Sequence, residues 1–335
     1  MVNKTVLILG GEGYIGTVVR DFFLIKGFKV TSVDKLIYNQ KFNFVKKNKK
    51  LYKFINSNFD SERIIKLISS KKIENIIILG SIVGDPITKK YPKISKKINI
   101  YSTKKVLNNA IKNKIKNIIF VSTCSNYGVV KKNKIANERT KLDPRSIYAK
   151  SKVIIEKYLI SKKISKGTQV TILRFATAFG LSKRMRFDLT INQFVREIYY
   201  NKKIEVYDPF TWRPYCHVKD FATLIHKIIN KKNVKRKQIE IFNSGSSKNN
   251  FTKMMIVKKI KKYFRNFKLV IKENSTDPRD YRVDFSKIKK IYNFTPKFSV
   301  DSGIIEILKA IKNGKYKRLS TYRDKLGNYK IKKNV

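Results

Sequence analysis

At 335 residues, 42% of them hydrophobic and 12% aromatic, the chain can bury a large core in roughly two domains, which excludes a disordered or collagen-like polymer. No run reaches the roughly 18 uncharged apolar residues of a membrane span; the N-terminal run Thr5–Leu9 meets glycines rather than a cleavage site, and two cysteines make no disulfide framework, so a soluble cytoplasmic protein with no membrane partner is expected. The net charge of +54 invites a polyanion, yet only 15 of the 77 basic residues are arginine and the lysines are scattered from Lys4 to Lys333, so the excess reads as compositional drift that favours small anions, with nucleic acid not expected.

Short β-branched runs alternate with amphipathic stretches. Thr5–Leu9 is a strand ending in glycine, Tyr14–Lys26 has helical spacing, and Lys29–Val33 is a strand closing on Asp34. Further strands are expected at Leu51–Ile55, Asn75–Leu79, Asn117–Val121 and Gln169–Arg174, with helices near Ser61–Ser70, Ile94–Asn113 and Ile147–Ser161. Near-continuous apolar strands in a βαβ alternation predict a Rossmann-type α/β fold, a doubly wound parallel sheet covered on both faces. The alternation loosens after Phe179: Phe210–Pro214 reads as a loop, Phe221–Ile229, Thr252–Phe264 and Val300–Lys312 as helices, and Ile239–Asn243 as a strand. The expected organisation is a dinucleotide-binding domain over 1–180 to which 215–245 returns, and a smaller mixed C-terminal substrate lobe from 181–214 and 246–315. The lysine-rich tail 316–335 is expected to be polar and mobile.

The run Gly10-Gly11-Glu12-Gly13-Tyr14-Ile15-Gly16 follows the first strand and opens the first helix. Glycines there allow a tight turn, a close approach of pyrophosphate and close helix–strand packing, while the helix N-terminus offers free N–H groups to the anion. Asp34 ends the next strand, 18 residues past Gly16, where a carboxylate accepts from a ribose 2′-OH and repels a 2′-phosphate. NAD is therefore favoured over NADP, a preference that the adjacent Lys35 tempers.

Tyr148 and Lys152 stand four residues apart on a predicted helix, hence on one face. An ammonium beside a phenol is expected to lower its pKa and let it trade protons with a substrate hydroxyl. The pair follows the fifth strand, which ends Ser122-Thr123-Cys124-Ser125-Asn126-Tyr127-Gly128, at the edge where doubly wound sheets bind ligands. His217 and His226 are the only histidines and have no clustered ligands, so no metal is expected, and His217 reads as structural.

Taken together, these motifs resemble the extended short-chain dehydrogenase/reductases of the NAD-dependent nucleotide-sugar epimerase/dehydratase family. The resemblance runs from the glycine loop and Asp34 through Leu79-Gly80-Ser81, Asn99 in Ile-Asn-Ile, the Ser-Thr-Cys-Ser-Asn-Tyr-Gly run and Tyr148/Lys152. It continues through Arg174-Phe175, Trp212–Asp220 and Asp277–Asp284. It implies Tyr148 as general base and acid, Lys152 as its tuning partner and ribose ligand, and Thr123 as the third catalytic hydroxyl. It further implies cofactor contacts from Gly10, Gly13, Tyr14, Ile15, Gly16, Asp34, Lys35, Leu79, Gly80, Ser81 and Asn99. Substrate contacts would come from Ser125, Asn126, Arg213, Arg279 and Arg282. Nucleoside-diphosphate sugars are the implied substrates, for surface-polysaccharide sugar synthesis, and helices Ile94–Asn113 and Ile147–Ser161 match those that pair in family homodimers.

Two departures from the family pattern stand out, one bearing on the reaction and one on the cofactor. The Asp-Glu pair that 4,6-dehydratases of the family carry after the catalytic threonine is replaced by Cys124 and Ser125. Cys124 has two readings, an acid/base of another reaction or a small buried residue. Asn58 stands where many relatives have an adenine-reading aspartate. The expected activity is a nucleotide-sugar epimerase acting at C4 through a keto intermediate. The alternatives are a keto-sugar reductase, a non-4,6 dehydratase, or, in another class, a non-catalytic RNA-binding or redox-sensing relative.

Overall fold

The computed structural model describes residues 4–38, 48–231, 237–273, 277–316 and 326–332. Its strands are β1 (Thr5–Leu9), β2 (Lys29–Asp34), β3 (Tyr52–Asn56), β4 (Asn75–Ile78), β5 (Asn117–Thr123), β6 (Gln169–Phe175), β7 (Thr177–Phe179), β8 (Lys203–Tyr207), β9 (Trp212–His217), β10 (Ile239–Ser244), β11 (Asn250–Thr252) and β12 (Lys268–Lys272). The main helices are α1 (Tyr14–Ile25), α2 (Glu62–Ser69), α3 (Asp85–Lys90), α4 (Pro92–Lys96), α5 (Thr103–Lys112), α6 (Ile147–Ile160), α7 (Thr190–Asn201), α8 (Val218–Asn230), α9 (Lys253–Lys261), α10 (Ser286–Tyr292) and α11 (Val300–Lys312).

Seven strands form one sheet in the order β10-β6-β5-β4-β1-β2-β3. Every pairing in it is parallel. Alternate residues along each strand feed opposite cores, as the period of two requires. Val6, Ile8, Ile77, Ile119 and Leu173 pack under α1 and α8, whereas Leu7, Leu9, Ile76, Ile118 and Ile172 pack under α2, α5 and α6. These strands are apolar on both faces because both faces are covered, which confirms the doubly wound sheet.

A second core gathers α7, α9 and α11 with β8 and β9, around Phe194, Val195, Ile198, Ile256, Ile260, Ile304 and Ile307. Around it lie a three-stranded sheet, β11-β9-β7, and the β12-β8 pair. Three expectations need correction. Trp212–Pro214 belong to β9 rather than a loop, because Pro214 faces Asn250 across a short antiparallel pairing that requires little of its missing N–H. The helix expected over Ile94–Asn113 is divided by a π-helical turn at Lys97–Ser102. Nor is the tail free where it is described: Tyr316 stacks edge-on to Phe187, and Ile331 is buried with Tyr38, Ile82 and Ile87. Residues 317–325 and 333–335 of that expected tail lie outside the described residues.

Candidate active site

The carboxyl edge of the sheet and the second lobe enclose a cleft of about 1260 Å³. At its floor lies the glycine loop. Gly10 takes φ +81°, and a Cβ there would stand 2.5 Å from the Gly80 nitrogen; a Cβ on Gly16 would stand 2.2 Å from the Gly10 carbonyl oxygen. Only bare backbone fits at both positions. The loop delivers the start of α1 to the cleft, and the unpaired N–H groups of a helix's first turn suit an anion there. Asp34 sits beside it, its two carboxylate oxygens accepting from the backbone N–H groups of Glu12 (3.0 Å) and Leu36 (2.8 Å). Burial pushes this carboxyl up to about 6 despite those hydrogen bonds. Gly13, Tyr14, Ile15, Lys35, Leu79 and Ser81 also line the cleft.

The catalytic pair faces the same space. Ser146 caps α6 by accepting from the Ala149 N–H, which fixes the helix start just before Tyr148. Tyr148, Lys152 and Thr123 all line the cleft, with the Lys152 ammonium 5.7 Å from the centre of the Tyr148 ring. Lys152 Nζ donates to the Val121 carbonyl at 2.9 Å. The expected lowering of the phenol pKa is not found: burial pushes Tyr148 up, opposed by the Arg186 and Arg279 charges, and pushes Lys152 down to about 7. Lys152 is buried and Tyr148 partly so, and in both the cost of desolvation favours the neutral form.

Not every expected residue reaches the cleft. Asn99, in the π-helical turn, is buried behind it; its carbonyl oxygen accepts from Ser81 Oγ and the Ile82 N–H (both 2.8 Å) and its amide donates to the Ile82 carbonyl. It holds the loop after β4 rather than a ligand. Asn126 is turned inward by the 3₁₀ turn Cys124–Tyr127 and donates to Ser122 Oγ and Glu156. Glu156 in turn pairs with Arg174 at 2.6 Å, a buried ion pair that clamps α6 to β6. Arg282 leaves the cleft to lie over Trp212 and donate to the Lys132 carbonyl. Ser125, Arg213 and Arg279 do line the cleft. Asp277 bridges the two guanidinium groups, at 3.2 Å to Arg213 and 2.6 Å to Arg279 Nε. Their charges hold its carboxyl well below the ordinary range.

Cys124 resolves toward the smaller of its two readings. It is buried, donates through Sγ to the Arg174 carbonyl at 3.1 Å, and burial pushes its thiol far up. His217 pairs with Glu306 at 2.6 Å under Phe298, a structural placement. Among the described residues no cluster of three His, Cys, Asp or Glu side chains is arranged for a metal. Among the described residues no helix is long and apolar enough to cross a membrane.

Several cleft residues have no signal in the local sequence. Asp85 pairs with Arg279 at 3.0 Å, and its second oxygen is buried without a hydrogen-bond partner. Arg184, Arg186 and Asn328 enter from the second lobe and the tail. The glycine cradle, the Asp34 acceptors and the buried, unpartnered Nε of Arg184 all fit a dinucleotide carrying a diphosphate.

Comparison with known proteins supports the fold. A UDP-glucuronate 4-epimerase of Thermodesulfobacterium geofontis is 27% identical, with 91% of this chain and 98% of that protein aligned. The crystal structure of a UDP-glucose 4-epimerase with UDP-glucose from Thermotoga maritima superposes with TM-score 0.80 at 23% identity, over 93% of this chain and 100% of that one. A dTDP-glucose 4,6-dehydratase from Bacillus anthracis in complex with NAD superposes with TM-score 0.79 at 21% identity, over 93% and 98%. The family model for NAD-dependent epimerases/dehydratases matches residues 6–245, and the chain belongs to that family.

Proposed function

We propose that the protein is a nucleotide-sugar epimerase that inverts a sugar carbon, C4 in the first instance, through a keto intermediate. The observation that carries this reading is the neighbourhood of Thr123. Elimination of water needs an acid and a base beside the developing keto group. The two residues after Thr123 offer neither: the Cys124 thiol is buried and held protonated, and the Ser125 hydroxyl is engaged by Arg279 at 3.1 Å. Epimerisation requires no such pair. The names of the similar 4-epimerases support the same choice.

Bound NAD supplies the hydride acceptor and later the donor, and its cationic ring adds the counter-charge that a phenolate needs. Tyr148 takes the proton of the hydroxyl whose carbon becomes keto and returns it when that carbon is reduced on its other face, so protons and electrons balance over the cycle. Thr123 donates to the same oxygen, and Lys152, drawn toward its charged form by the phenolate, stabilises it. Arg213 and Arg279 grip the sugar nucleotide's diphosphate in place of Asp277, a task suited to their forked donors. The exposed Tyr101, Ile147 and Ile154 support pairing of α6 and the π-helical turn with a second copy, checked by light scattering on the eluting protein.

The reading is tested by incubating purified protein with UDP-glucose, UDP-galactose and UDP-glucuronate and resolving products by NMR. Isomer exchange without net change in NADH absorbance is expected. Net consumption of NADH with a keto-sugar would make the protein a reductase instead.

A further inference from the structure

We propose that residues 326–332 form a strap that closes over the bound dinucleotide, and that Arg184, held by this strap, grips the cofactor's diphosphate. The proposal rests on the dinucleotide reading of the cleft and adds to it a retention device built from the second lobe and the tail.

The strap joins the two loops that flank the cofactor end of the cleft. The Lys332 N–H donates to the Ile37 carbonyl at 2.9 Å, after β2. The Asn328 amide donates to the Val83 carbonyl at 2.9 Å, after β4. Ile331 anchors the segment between them by burying itself against Tyr38, Ile82 and Ile87. At its near end the Phe187 N–H donates to the Leu326 carbonyl at 2.8 Å, so the strap is also fixed to the second lobe. A chain segment that crosses a ligand cleft and is tied on both banks must open for a ligand the size of a dinucleotide to leave.

Two buried polar atoms under the strap point to what it covers. Arg184 is 4% exposed and lines the cleft; one terminal nitrogen donates to the Gly327 carbonyl at 3.1 Å, and its guanidinium lies 4.8 Å over the Tyr38 ring. Its Nε has no hydrogen-bond partner, and among the described residues no carboxylate pairs with it within 4 Å. Asn328, 7% exposed, likewise lines the cleft with an unpartnered Oδ1. Leaving a guanidinium buried and unpaired is costly, and burial beside Arg186 pulls its pKa down to about 10. An anion would relieve both terms. The loop carrying Arg184 is tied to the glycine-loop helix, since Ser182 Oγ donates to the Tyr14 carbonyl at 2.6 Å and bonds Thr17 Oγ1 at 2.8 Å. The Arg184 guanidinium therefore belongs to the cofactor side of the cleft, on a loop bonded to the first turn of α1, whereas Arg213 and Arg279 serve the substrate side. Retention suits a reaction in which one cofactor molecule must both take and return the hydride.

The test uses NADH and UDP as probes on the full-length chain. Arg184→Met and Ile331→Asp should each raise the NADH dissociation rate at least about tenfold, the loss expected for one charge-assisted contact, with UDP affinity within about twofold. In the unmodified chain, amide hydrogen exchange at 326–332 should slow when NADH binds and stay unchanged with UDP, which decides the matter even if a variant fails to fold. NADH dissociation within twofold of the parent in folded variants, or strap exchange indifferent to NADH, would overturn the strap. Slowing by UDP alone would overturn it too, by assigning the segment to the substrate. A parent chain that takes up no NADH would overturn the cofactor site and the strap with it.

Discussion

Glu12 and Arg20 form an ion pair directly beneath the glycine loop, both side chains almost wholly withdrawn from water. The other Glu12 oxygen accepts from Ser32 Oγ at 2.8 Å and Tyr52 OH at 2.9 Å, while its backbone N–H donates to Asp34. One acidic residue thus ties the loop to α1, β2 and β3 and sets the distance between the anion site and the ribose acceptor. Arg20 keeps a second, weaker partner in Asp21 at 2.9 Å.

Removing that charge should be felt in stability before chemistry. Glu12→Gln preserves shape but leaves Arg20 buried with Asp21 alone, at a cost of about 3 kcal/mol, the lower end for a broken buried pair. Thermal melting should fall by about 4 °C for a chain of this length. A melting point unchanged from the parent would show that the charge is dispensable there.

Asp34 makes cofactor affinity depend on pH. Its carboxyl is raised to about 6 by burial, so it is ionised above that pH and gains a proton as pH falls through it. A protonated carboxyl accepts a ribose hydroxyl poorly, so the NAD dissociation constant should be about tenfold weaker at pH 5 than at pH 7.5, one unit below the pKa. Calorimetric titration across that range checks it. Asp34→Asn should bind weakly at every pH and remove the dependence.

The parts of the molecule readable from sequence are those set by local rules. β1, β4 and β5 announce themselves because both faces are buried, and the glycine loop, Asp34, Tyr148 and Lys152 because each requirement falls within one turn or one strand end. The second lobe is harder. β7 and β11 have three residues each, and β12 is lysine-flanked and largely exposed, so neither period nor length marks them. Arg184 and Asn328 are hidden for another reason: a chain with 77 basic residues gives no local cue to a buried cation whose partner is the tail. Asn126 and Arg282 mislead in the opposite way. They neighbour cleft residues in sequence, but a 3₁₀ turn and the bridge between Ala136 and Val283 carry their side chains elsewhere.

Cys124 should prove dispensable to turnover. Its thiol packs among core residues and meets the Arg174 carbonyl rather than the cleft. Cys124→Ala should retain kcat within about twofold, and alkylating reagents should leave the folded enzyme active, since a buried protonated thiol is inert. A loss of turnover of tenfold or more without loss of folding would return the residue to the reaction.

Tyr148 and Lys152 should separate in kinetics because they do different work from the same helix. Tyr148→Phe removes the group that carries the hydroxyl proton and little else, so kcat should fall by about 10²–10⁴ while NAD affinity stays within about twofold. Lys152 lines the cleft beside the phenol with its Nζ on the Val121 carbonyl, and burial already draws it to about 7. Lys152→Met should therefore weaken NAD binding as well as turnover, and it should shift the alkaline rise of kcat upward, because the phenol loses a cation 5.7 Å from its ring centre that can help it ionise. If both variants bind NAD as the parent does and lose turnover equally, the lysine acts on the phenol alone and has no part in holding the cofactor.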